Sequence, residues 1–138
     1  MTALVTACLD IGNNGKIDLY LWTSDNSALS ELCAFFSGLS QLPTAEFLLP
    51  FAKCERPDDS FDEILIVRLS SRTAEGVKLE HGSKGEHRIV WQGDEEYWKE
   101  VSDKCAALLE HGVGHQYLIV RGSELQNVTL SYRERGLR

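Results

Sequence analysis

Trp98, Val101, Cys105, Leu108 and Leu109 recur at spacings of three and four, while Lys99, Glu100, Ser102, Asp103 and Lys104 fall mostly on the other side of the same stretch. That period predicts an amphipathic helix with one face in a core and the other in water. Asp94, just after Gly93, offers a side-chain oxygen to the first free N–H groups, and Glu95 and Glu96 set negative charge at the positive end of the helix. The helix therefore starts at Asp94. Gly112 supplies the left-handed residue that stops it. Beyond Gly114 the period of near four gives way to the run Tyr117-Leu118-Ile119-Val120, which predicts a buried strand.

The N-terminal half has a similar grammar. Residues 3–9 and 16–22 are rich in β-branched and aromatic residues and are separated by the turn formers of Asp10 to Gly15, so they predict a hairpin. Ile17, Leu19 and Leu21 alternate with Asp18, Tyr20 and Trp22, as in a strand with one buried face and one amphipathic or partly covered face. Ser24 to Ser27 offer several caps for a helix from about Ala28 to Leu39, with Leu29, Leu32, Cys33, Phe36 and Leu39 at core spacing. Leu42-Pro43 and Leu49-Pro50 then frame an irregular apolar segment expected to form a loop with one helical turn. Ile64 to Leu69 predicts a central strand covered on both faces. Val77, Leu79 and His81, the turn Gly82 to Gly85, and His87 to Trp91 predict a second hairpin, and Val128 to Tyr132 predicts the last strand, followed by a polar tail from Arg133 to Arg138.

The expected order is strand, strand, helix, three strands, helix, strand, strand. With short connections this is a single α+β domain over residues 1–138, a mostly antiparallel sheet with two helices packed on it. Each helix follows a strand ending in tryptophan, Trp22 or Trp91, with an aspartate three residues on, Asp25 or Asp94, which hints at two ββα halves.

Composition narrows the function classes. A hydrophobic fraction of 43% and a charged fraction of 25% are those of an ordinary globular chain. A formal net charge of −7 argues against a phosphate-backbone binder and for a basic protein partner. No apolar run reaches the length of a membrane span and no secretory signal opens the chain, so a cytoplasmic protein without nucleic-acid or membrane partners is expected. Cys8, Cys33, Cys54 and Cys105 form no C-x-x-C pair and are expected to be reduced, with Cys33 and Cys105 on the apolar stripes of the two helices. An uncovered sheet edge would favour a homodimer.

Candidate chemistry is sparse. His81 and His87 flank the second hairpin turn and could face each other, but a zinc site needs further ligands, and no metal or cofactor is expected. Neither G-x-S-x-G nor a phosphate-loop frame is present, and no catalytic residue is assigned. Asp10 and Asp18 could pair for acid–base work, yet spacing alone gives no distance between them. Asp58, Asp59, Asp62 and Glu63 concentrate four carboxylates ahead of a strand, either as a solvated loop or as a contact for a cationic partner.

The string Gly114-His115-Gln116-Tyr117-Leu118 resembles the strand opening of a group of small bacterial proteins in which a second strand carries Ser-x-x-Glu-Tyr. Here Ser131 and Glu134 match that second motif, and Arg135 stands in place of its tyrosine. The likeness covers about the last third of the chain and carries no activity. Acidic proteins of this size and layout also resemble immunity proteins that block bacterial toxins. The expectation is a non-catalytic binding protein that meets a basic partner through Asp58, Asp59, Asp62, Glu63, His115 and Gln116. The alternative is a small-molecule binder or enzyme with His115 in a helix–sheet cleft. A simpler reading has His115 and Gln116 serving backbone groups and Tyr117 in the core.

Overall fold

The computed structural model describes residues 5–12, 15–39, 45–49, 51–53, 61, 63–70, 76–81, 87–118 and 126–134. They form β1 (Val5–Ile11), β2 (Ile17–Thr23), α1 (Asn26–Leu39), β3 (Ala45–Leu48), β4 (Phe51–Lys53), β5 (Glu63–Arg68), β6 (Gly76–His81), β7 (His87–Gly93), α2 (Glu95–His111), β8 (Gly114–Tyr117) and β9 (Gln126–Tyr132). The class is α+β, and the order of hairpins and helices is the expected one with two short strands added. The strands divide into two sheets, ordered β4-β1-β2-β9-β8 and β3-β5-β7-β6.

Three local expectations need correction. The segment between Pro43 and Pro50 holds β3, not a loop with a helical turn. The strand spans Ala45–Leu48, and Pro43 and Pro50 lie outside the described residues. The described strand after α2 is Gly114–Tyr117, and its pairing with β9 turns Leu118 inward and leaves Tyr117 48% exposed, while Ile119 and Val120 lie outside the described residues. Tyr117 is thus not a core residue. β5 is covered completely on one face only, with Ile64 and Ile66 fully buried and the alternating Leu65 and Val67 half-buried.

The sheets are built by exchange. The hairpin β1-β2 enters the first sheet, the chain crosses through α1, and the antiparallel pair β3-β5 enters the second. The second half does the reverse: β6-β7 lies in the second sheet, and after α2 the hairpin β8-β9 returns to the first. A parallel pair joins the two halves' contributions in each sheet, β2 with β9 and β7 with β5, and the first sheet has a second parallel pair, β1 with β4. The registers agree as well as the topology. Thr23 O accepts from Arg133 N at 2.9 Å and Gly93 O from Leu69 N at 2.8 Å, while Leu118 N donates to Val128 O and Leu49 N to Ile64 O at matching places. Leaving aside β4, which adds to the edge of the first sheet beside β1, the molecule is therefore two ββαββ halves related by an approximate twofold in topology and register, each lending an antiparallel pair to the other's sheet.

The same correspondence corrects the tryptophan echo. Thr23 matches Gly93 at the strand ends, so Trp91 matches Leu21, and Trp22 faces the other way. Ser24 is the extra residue that brings Asp25 into line with Asp94. Both aspartates cap: Ser27 N donates to Asp25 Oδ1 at 2.8 Å and Tyr97 N to Asp94 Oδ1 at 2.9 Å. Gly112, at φ 83°, ends α2 as expected.

α1 and α2 pack antiparallel across the twofold, and their stripes join the inner faces of both sheets in one core. Aromatic bulk sits on the second half's side. Phe36 stacks on Trp98 at 5.7 Å, and Trp91 meets both edge-on at 5.5 and 5.0 Å. The positions that the twofold matches to Trp91, Trp98 and Phe36 are Leu21, Leu29 and Cys105, so a large set is balanced by a small one. Buried polar atoms are satisfied in sequence: Trp91 Nε1 donates to Tyr97 Oη at 2.9 Å, and Tyr97 Oη donates to Leu118 O at 3.0 Å. Gly93 is required here, because a Cβ at that position would lie 2.2 Å from Tyr97 Cδ2.

Arg68, at the end of β5, is buried to 7% exposure. Its Nε donates to Leu39 O at the C-terminus of α1 (3.1 Å), another N–H to Leu69 O, and Nη2 lies 3.8 Å from Glu95 at the start of α2. One cation thus satisfies the negative end of one helix and reaches the first turn of the other. The twofold places Tyr132 where Arg68 stands and Asn26 where Glu95 stands, and Asn26 Nδ2 donates to Tyr132 Oη at 3.3 Å.

Candidate interaction face on the first sheet

Alternation fixes what the helices leave uncovered. On β2, Leu19, Leu21 and Thr23 are buried inward, so Asp18, Tyr20 and Trp22 point outward. Residues opposite one another share a face, which places Cys8, Tyr20, Thr129 and Tyr117 in one outer row across four strands. Thr6, Trp22, Ser131 and His115 form the next row, and Asp10, Asp18 and Asn127 the row on the other side. Cys8, Thr129 and Ser131 are small and buried at 0–3% exposure, whereas Tyr20, Trp22 and His115 are partly exposed and Tyr117 stands out. Short side chains form a floor among aromatic ones.

Charge on this face is negative at one end and paired at the other. Asp10 and Asp18 lie directly opposite each other, an arrangement that costs stability in a ladder. Lys16 Nζ, 4.0 Å from Asp18 Oδ1, offsets it in part. Burial raises the Tyr20 phenol above its ordinary pKa of 10.0, and the carboxylates of Asp18 and then Asp10 raise it further, with smaller contributions from Cys8 and Tyr117. Burial leads this shift, and the part due to Asp18 and Asp10 reflects a negative field at the ring. At the other end, His115 Nδ1 lies 2.8 Å from Glu134 Oε1, and Ser131 Oγ donates to Glu134 O at 3.2 Å. An ionised carboxylate only accepts, so that contact puts a proton on Nδ1. The His115 ring meets Tyr117 edge-on at 5.2 Å.

The residues singled out by sequence divide between faces. His115 is on the outer face of the first sheet, turned away from the helices, and hence not in a cleft between helix and sheet. Gln116 points to the opposite side, in line with Leu130. Glu63 lies on the second sheet, where it contacts Arg88 at 3.6 Å. Asp58, Asp59 and Asp62 lie outside the described residues. His81 and His87 do face each other, with ring centroids 4.5 Å apart, and no grouping of three potential metal ligands occurs among the described residues. Ser131, His115 and Glu134, quoted from two separated motifs, meet at one point.

The residues missed were Tyr20, Trp22, Thr129 and Tyr117 as a set. The outward alternation of Asp18, Tyr20 and Trp22 was the visible signal, but the parallel neighbour β9 that completes the face has no local signature. No helix among the described residues is long and apolar enough to cross a membrane. No protein-family model matches the chain, and no curated protein or solved structure matches it either.

Proposed function

We propose that this chain is a non-catalytic binding protein whose first-sheet outer face receives lysine or arginine side chains of a basic protein partner. The observation that carries the reading is the setting of Tyr20, an aromatic ring in the field of Asp18 and Asp10 and in one row with exposed Tyr117. A guanidinium or ammonium group gains there from carboxylates and from ring faces together. The net charge of −7 adds long-range steering toward a positive partner. Inhibition of a basic bacterial toxin, the immunity-type role, is one form of this activity.

The test is capture from lysate on immobilised protein, run in parallel with a D10K/D18K variant. The reading expects a specific basic protein held by the wild type, released by high salt and missing from the variant. Capture that the variant leaves intact, or a metabolite bound in native mass spectrometry with no protein partner, overturns it.

A further inference from the structure

The helix contact at the twofold holds a pair of thiols that the binding reading does not use. Cys33 of α1 faces α2, and Cys105 of α2 faces α1. Cys33 Sγ lies 3.8 Å from Ser102 O, and Cys105 Sγ 3.8 Å from Leu29 O. Each thiol thus points at the partner helix about one turn before that helix's own cysteine, so the two side chains occupy the same gap. The gap exists because Cys105 stands where the twofold places Phe36 and Cys33 where it places Ser102. Both are free thiols, Cys105 fully buried and Cys33 partly exposed.

We propose that Cys33 and Cys105 are a redox modification site, which a peroxide converts to a disulfide joining α1 to α2. Cys33, the less buried of the two, reacts first. Cys33 attacks one peroxide oxygen as its thiolate, the O–O bond breaks, and the departing hydroxide leaves as water, giving a sulfenic acid. Cys105 then attacks the Cys33 sulfur, the S–O bond breaks, and the second oxygen departs as water with the Cys105 proton. Two thiols lose two electrons and the peroxide gains them. Burial, and after it the charge and hydrogen bond of Cys33, pushes the Cys105 thiol up, so Cys105 serves as the resolving partner and not as the first nucleophile.

The bridge would link one half of the molecule to the other. It closes a long loop, which restricts the unfolded chain and raises the melting temperature by roughly 5–10 °C. The experiment treats the reduced full-length chain with hydrogen peroxide, blocks remaining thiols, and maps the peptides by mass. A peptide carrying Cys33 joined to Cys105, a loss of two hydrogens from the monomer and reversal by dithiothreitol support the site. With Cys105→Ser, Cys33 should stop at a sulfenic acid that dimedone traps. Recovery of both thiols in alkylatable form, oxidation of Cys33 to sulfinic acid in the wild type, or bridges to Cys8 or Cys54 would overturn it. The wild-type map decides even if a variant folds poorly.

Discussion

The outer faces of the two sheets occupy equivalent places in the twofold and carry different chemistry. On the first sheet the middle row runs Tyr117, Thr129, Tyr20, Cys8; on the second the matching row runs Leu48, Leu65, Val90, Lys78. The first sheet's end row sets Asp10 against Asp18 with Asn127 beside them, whereas the second closes its charges locally. There Arg88 lies 3.6 Å from Glu63 and 3.8 Å from Glu80. The one face leaves like charges opposed beside aromatic rings, and the other neutralises itself. Corresponding strands thus carry two outer surfaces that differ in how their charges are paired. Like charges only partly offset on a stable frame are the kind of local cost that binding surfaces retain.

The largest break in the correspondence is Arg68 against Tyr132. Arg68→Ala leaves Leu39 O and Leu69 O without their buried donor and should cost about 3 kcal/mol in urea unfolding. Tyr132→Phe removes one neutral hydrogen bond and should cost about 1 kcal/mol or less by the same measurement. Comparable losses would mean that the two ends of the core are equivalent in energy as well as in place.

Binding gives the next contrast. Asp18→Lys should weaken the captured partner about tenfold or more by calorimetry, whereas Arg88→Glu on the second sheet should leave affinity within about twofold. Equal effects would show that net charge matters and the face does not.

The smallest effects differ in sign. Asp18→Asn relieves the opposed pair and should stabilise by roughly 0.5 kcal/mol, while Arg88→Gln should destabilise by a similar amount. Tyr20 supplies the pH readout. Its pKa is raised in the folded state, so the folded chain holds its proton more tightly than the unfolded one. That contribution is complete below the unfolded value of about 10 and is lost as the pH climbs through the raised folded value. Phenol absorbance should show Tyr20 ionising later than a free tyrosine, and earlier in Asp18→Asn than in the wild type.

Much of the scaffold was legible because its signals are local. α2 announced its cap at Asp94, its stripe through Trp98 and Leu108, and its stop at Gly112, and all three stand. Exchange between sheets was not legible, since β2 with β9 and β5 with β7 are pairings across long separations without turn chemistry. Tyr117 was misplaced for the same reason: an apolar run specifies burial, but only the neighbouring strand decides which residues of it face inward. The tryptophan echo detected a real repeat one position out of step, because one inserted residue, Ser24, separates helix from strand in the first half alone. The candidate face was half legible, with β2 contributing a visible alternation and β8 and β9 joining it only through tertiary pairing.

The exchange of hairpins bears on how the chain reaches this state. When β5 leaves the ribosome, β2 still lacks β9 and β5 still lacks β7, the parallel neighbours that complete the two sheets. Such high contact order predicts slow folding, with apolar strand edges open until the second half arrives. During that interval a neighbouring nascent chain can supply the same hairpins, so crowded synthesis should yield some intertwined dimers.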